Sequence, residues 1–135
     1  MIKTLNVRTD SQCQMIDVTD KVQAAVRETG LVDGCAVCYV PHTTAGVTIQ
    51  ENADPDVVHD ILWKLDQLIP RDDSGFRHSE GNSNAHLKCS LIGMSQTVLV
   101  EGGRLILGTW QGIYFCEFDG PRQRQLLVRC LAGSP

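Results

Sequence analysis

The chain has 135 residues and a mass of 14.9 kDa, enough for one domain and short for two. Its 42% hydrophobic and 21% charged residues are ordinary for a soluble globular protein, and no apolar run approaches the roughly 18 residues of a membrane span. A net charge of -4 sets nucleic acid against net repulsion, and six cysteines without a signal peptide at the N-terminus predict reduced thiols in the cytoplasm.

Residues 2–9, "IKTLNVRT", alternate as a strand. "DVTDKVQAAVRETG" then predicts a helix capped by Thr19 or Asp20 and stopped by Gly30, with Val22, Ala25 and Val26 as its apolar stripe. After a turn at Asp33-Gly34, "CAVCYV" and "AGVTIQ" read as two strands joined through "PHTT". Strand alternation would point Cys35 and Cys38 to opposite faces, so their CxxC reads as core packing rather than a zinc half-site. Asp54-Pro55 is a helix start, because the carboxylate caps free N–H groups and proline tolerates the first helical position. That helix should run to about Ile69 with Val58, Ile61, Leu62, Leu65 and Leu68 toward the core.

Residues 71–84 form a polar loop, followed by a short helix at "AHLKCSLIG" that Asn84 could cap. "QTVLV", "RLILG", "GIYFCEF" and "RQLLVRCL" complete the chain as four strands, with a tight hairpin at Gly102-Gly103. In "LGTWQG" the small and polar residues around Trp110 suggest a bulge. The sum is one α+β domain over residues 1–135, a largely antiparallel sheet or sandwich with two to three helices.

Polar residues cluster in three places. "PHTTAGVTIQEN" sets His42, Thr43 and Thr44 at the mouth of a strand, with Glu51 and Asn52 at its far end. "HSEGNSNAH" brings His78, Glu80, Asn82 and His86, and neutral imidazole is a common ligand for zinc and similar ions. The eight residues from His78 to His86 fit no helical ligand pair, so surface or capping roles stand beside a shared metal site. "EFDGPRQR" offers Arg122 and Arg124, whose forked donors suit phosphate or carboxylate and equally suit surface ion pairs.

Taken together, "HTTAGVTIQENADPDVVHD", "HSEGNSNAHLK" and "GTWQGIYFCEFDGPRQR" closely resemble the YjbQ-like family, also labelled secondary thiamine-phosphate synthase enzymes, in order and spacing over nearly the whole chain. The resemblance implies an α+β fold assembled as a homotrimer and a weak thiamine-phosphate synthase activity beside an unidentified main role. It also implies a polar, metal-associated pocket with His42, His78 and His86 as ligands of a divalent ion, zinc or magnesium. Glu51, Glu80 and Asn82 would line it, and Thr109, Trp110 and Gln111 would lie nearby or be structural.

For a reaction that joins a pyrimidine diphosphate to a thiazole phosphate, Glu80, Glu51 and Lys88 are the catalytic candidates. Thr44, Asn52, Asn82, Thr109, Gln111 and Arg122 are the substrate-binding candidates, and the partner is a small phosphorylated molecule. A different metal-dependent hydrolase or transferase, and a non-catalytic ligand-binding trimer, are the alternatives.

Overall fold

The computed structural model describes residues 1–134. Strand β1 (Ile2–Arg8) is followed by a short strand β2 (Gln14–Asp17) and helix α1 (Thr19–Thr29). The expected cap at Thr19 or Asp20 lies slightly earlier: the Asp17 carboxylate accepts hydrogen bonds from the Thr19 amide at 2.9 Å and from Thr19 Oγ1 at 2.6 Å. Gly30 ends α1 in the left-handed region, φ 73°, a conformation that costs glycine nothing. Strands β3 (Gly34–Tyr39) and β4 (Ala45–Glu51) come next, then helix α2 (Pro55–Leu68). The α2 cap is as expected, with Asp54 Oδ1 accepting from the Asp56 amide at 2.9 Å.

Helix α3 (Ser83–Ile92) starts two residues earlier than anticipated, with Asn82 rather than Asn84 at the cap position, and Asn84 is buried in its first turn. Strand β5 (Ser95–Glu101) turns through Gly102 and Gly103, both at positive φ, into the two-residue strand β6 (Arg104–Leu105). A turn at Gly108–Gln111 then leads to β7 (Gln111–Glu117) and β8 (Gln123–Ala132). "LGTWQG" is thus a surface turn, with Trp110 exposed, and not a bulge.

All strand pairings are antiparallel and form two sheets, one ordered β1-β8-β3-β5-β6 and the other β2-β7-β4. The main core lies between the sheets and α1, built from residues such as Val22, Val26, Ala36, Val47, Phe115 and Leu126. Alternation along β7 sends Ile113 and Phe115 into this core and Tyr114 and Cys116 to the other face, under α2 and α3. Burial of these apolar side chains, about 1.5–3 kcal/mol for each large one, is the main force holding the layers together.

Helix α2 departs from expectation. Val58, Leu62 and Leu65 pack on the second cluster, but no α2 residue is fully buried, and Leu68 and Trp63 are exposed. Cys35 and Cys38 behave as alternation predicts, Cys38 buried and Cys35 half-buried, and all six thiols are free.

Two features position the functional region. The segment Pro41–Thr44 crosses from one sheet to the other, because β3 belongs to the five-stranded sheet and β4 to the three-stranded one. Helix α3 ends hard against β4: the Val47 amide donates to Gly93 O at 3.0 Å, and a Cβ on Gly46 would sit 2.6 Å from that oxygen. Only glycine permits this approach, which places the first turns of α3 beside the Pro41–Thr44 crossing.

Candidate functional site

The crossing, the loop before α3, the first turns of α3 and the β7–β8 turn enclose a cavity of about 490 Å³. His42, Thr44, His78, Glu80, Asn82, His86 and Arg122 all line it, joined by Thr43, Asp119 and Arg124. Seven of the residues singled out from sequence therefore share one pocket, although they come from segments up to 80 residues apart. Apart from Pro41 the lining is polar throughout. A larger cavity of about 860 Å³ opens at the other end of the five-stranded sheet, under Met1, Gly30–Asp33 and Ala132–Ser134. It contains none of these residues, and its Lys3–Glu28 pair, at 3.3 Å, is closed on itself; the smaller pocket is where chemistry-bearing groups converge.

Beneath the pocket floor lies a buried ion pair. Glu117 has no solvent exposure and Arg124 is 5% exposed. Arg124 donates from Nε to Glu117 Oε1 at 2.9 Å and from Nη2 to Glu117 Oε2 and to Thr44 Oγ1, the last at 2.8 Å. Glu117 also accepts from Thr9 Oγ1 at 2.8 Å and from the amides of Phe118 and Asp119, each at 3.0 Å. Burial alone would push the Glu117 carboxyl up, but the hydrogen bonds from Arg124, the Asp119 amide and Thr9, with the Arg124 charge, outweigh it and hold the group below its ordinary value. The same carboxylate thus fixes Arg124 and the turn that carries Asp119 and Arg122.

On the rim, Arg122 donates to the Asp119 carbonyl at 2.7 Å and to its carboxylate at 3.0 Å, and Asn82 Nδ2 donates to that carboxylate at 2.9 Å. His78 and His86 meet edge to face with ring centroids 5.5 Å apart, and His78 Nε2 is 3.8 Å from Glu80 Oε1. His42 takes a different role. Its Nε2 accepts the Gln125 amide at 3.0 Å, two residues beyond the point where the β3–β8 ladder ends at Tyr39 and Leu127. An amide must donate, so Nε2 is the lone-pair nitrogen and Nδ1 carries the proton. Burial, and then the Arg124 charge, hold the His42 pKa below its ordinary value, which favours this neutral ring.

That geometry bears on the expected three-histidine metal site. The imidazoles share a pocket, but the Nε2 of His42 is committed to the backbone, and among the described residues no group of three His, Cys, Asp or Glu side chains is arranged to hold a metal ion. The donor set as built does not fit a zinc or magnesium centre of three imidazoles.

Other candidates lie elsewhere. Glu51 and Asn52 stand at the far end of β4, about 20 Å along the strand from Thr44, where Glu51 pairs with Gln111 and the Asn52 amide bonds Trp110 O. Thr109 and Gln111 belong to that same distant turn, in which Gln111 Oε1 accepts from the Gly108 amide at 2.8 Å. Lys88 is 1% exposed and faces away from the pocket, with Nζ bonded to Asp66 of α2 and 3.8 Å from Cys13 Sγ. Two positions along α3 from His86 is about 200° of rotation, which accounts for the divergence. Thr44 lines the pocket, but its hydroxyl is taken by Arg124.

Sequence reasoning passed over Glu117 and named Arg124 without selecting it. A signal was present: Glu117 continues the inward alternation of Ile113 and Phe115, and Arg124 that of Leu126 and Val128. Opposite charges on the inward faces of two strands that are consecutive in the chain and lie in the two facing sheets predict a pair.

The sequence model of the family described as UPF0047 protein YjbQ-like matches residues 3–133. The chain belongs to this family. The YjbQ-like match extends to relatives across bacteria and archaea. The UPF0047 protein YugU of Bacillus subtilis is 55% identical, over 97% of this chain and 99% of its own. A UPF0047 protein of Methanocaldococcus jannaschii is 50% identical, over 99% of this chain and 96% of its own. Among solved structures, an uncharacterised conserved protein of the YjbQ/UPF0047 family from Clostridium acetobutylicum superposes with a TM-score of 0.93 at 53% identity, covering 96% of this chain and 99% of its own. A protein of unknown function from Sulfolobus solfataricus reaches the same TM-score at 31% identity, covering 98% and 97%. The YjbQ-like fold is thus kept at low identity.

Proposed function

We propose that the pocket is the ligand site of an enzyme acting on a small phosphorylated molecule. The supporting observation is the convergence of two arginines and three histidines on one polar cavity, with Arg122 engaging Asp119 at the rim and Arg124 engaging Glu117 beneath the floor. Guanidinium and imidazole N–H groups suit phosphate oxygens. The adjoining rings of His78 and His86 are the acid–base candidates, with Glu80 beside His78.

The reaction to which the family resemblance points is the joining of a pyrimidine diphosphate to a thiazole phosphate with release of pyrophosphate. In that reaction the thiazole ring nitrogen forms a C–N bond as the C–O bond to pyrophosphate breaks; the guanidinium groups carry the phosphate charge, and an imidazole N–H donates to the departing pyrophosphate oxygen. The pocket supplies no apolar wall for an aromatic ring, so in this reading it grips the phosphoryl end, and thiamine-phosphate formation is a slow side activity. The protein works as a cytoplasmic homotrimer, a reading favoured by six free thiols and by the incompletely covered α2, with Trp63 and Leu68 exposed. No helix among the described residues is long and apolar enough to cross a membrane.

The test is thiamine-phosphate formation by the purified protein, repeated with chelator and with His78→Ala and His86→Ala. Turnover that survives chelation and drops in both variants supports the reading. Equal turnover in wild type and variants would overturn it, and turnover restored only by added metal would return the site to metal chemistry.

A further inference from the structure

Arg124 is a charged side chain more than nine-tenths buried, yet not all of its donors are used. Nε and Nη2 bond Glu117 and Thr44, while Nη1 has no acceptor among the described residues. Nη1 is also not among the sealed, unpaired polar atoms, and the side chain lines the pocket. Its open side therefore faces the cavity. His42 repeats the arrangement: Nε2 is held by the Gln125 amide, leaving Nδ1–H without a protein acceptor on the same cavity wall. Each donor is fixed from behind by a partner that ligand binding does not need to disturb, so little reorganisation is required when an anion arrives.

We propose that Arg124 and His42 form a preorganised recognition pair for the phosphoryl group of the ligand, with Glu117 and the Gln125 amide as positioning groups. This rests on reading the cavity as a site for a phosphorylated molecule, and it names the two side chains that select the charged end. The pair presents N–H groups from two elements, strand β8 and the crossing segment, and a phosphoryl group, with more charge and more acceptor oxygens than a carboxylate, is better suited to engage both. Arg122 on the rim is exposed over half its side chain and paired with Asp119, and it is subordinate to Arg124.

The experiment is calorimetric titration of the full chain with inorganic phosphate and, separately, acetate. Phosphate is expected to bind and acetate to bind more weakly. His42→Gln keeps an acceptor near the Gln125 amide but lacks the Nδ1–H, and Arg124→Lys keeps the charge but lacks Nη1. Each should weaken phosphate binding by roughly tenfold or more, the usual loss of one hydrogen bond to a charged group. Because Arg124→Lys also disturbs a buried pair, wild-type NMR provides a second readout: phosphate should shift the Arg124 guanidinium and His42 Nδ1–H signals together.

Absence of phosphate binding to the wild type, tighter binding of acetate, or unchanged binding in His42→Gln with both signals unmoved would overturn the pair. Phosphate binding as described without any thiamine-phosphate formation supports the pair and removes the proposed reaction. Turnover that phosphate does not inhibit and that His42→Gln leaves intact removes the pair and keeps the reaction.

Discussion

Replacing Arg124 by methionine leaves Glu117, which has no solvent exposure, without its counter-charge. Removing one member of a buried ion pair typically costs about 3–5 kcal/mol, against a total of about 5–15 kcal/mol for a domain. Glu117→Gln removes the opposite charge and strands Arg124, at a comparable cost. The double variant Glu117→Gln/Arg124→Met buries no charge, and its glutamine oxygen still accepts from one of the Phe118 and Asp119 amides that Glu117 serves. It should cost less than the two single changes added, by about 2 kcal/mol, within the usual range for residues in one network. Urea unfolding followed by far-ultraviolet circular dichroism is the suitable assay, at one protein concentration. Fluorescence would report poorly because Trp63 and Trp110 are 54% and 61% exposed. Additivity of the two changes, or an Arg124→Met cost under about 1 kcal/mol, would show that the pair does not hold the pocket floor as described.

The same carboxylate sets an acid limit. Glu117 is held below its ordinary value when folded, so between its folded and unfolded values the unfolded chain binds more protons. Its contribution is complete above about pH 4.3, the ordinary glutamate value, and is lost as the pH falls through the folded one. The stability gap between wild type and Glu117→Gln should therefore narrow as unfolding is measured at successively lower pH from about 5 downward. Lys88→Met replaces a buried cation whose partner, Asp66, is exposed; stability should change by less than about 2 kcal/mol in either direction, and phosphate titration should be unaffected. Gly46→Ala forces a Cβ against Gly93 O, an overpacking expected to cost about 1–3 kcal/mol by urea unfolding.

How much of this was legible in the sequence depended on whether local pattern or three-dimensional phase decided the matter. Cap chemistry located the start of α2 at Asp54-Pro55 and the end of α1 at Gly30, because those residues act within a few positions of themselves. Strand β2 was hidden because its four residues adjoin the α1 cap and pair only with β7. His42, His78 and His86 were correctly grouped, but the commitment of His42 Nε2 to Gln125 is a contact 83 residues distant that no spacing reveals. Glu51, Asn52, Thr109 and Gln111 were drawn toward the site by nearness in sequence and motif, whereas a seven-residue strand carries its ends apart. Lys88 was misplaced by helical phase. Glu117 and Arg124 were readable from strand alternation, since each stands where an apolar residue would be expected.

The most direct test of a phosphoryl site is a crystal structure of the protein grown with phosphate. A tetrahedral ion within hydrogen-bonding reach of Arg124 Nη1 and His42 Nδ1, with the Gln125 and Glu117 contacts unchanged, is the predicted result. A metal ion coordinated by His42, His78 and His86, with His42 released from Gln125 and no anion on Arg124, would contradict it.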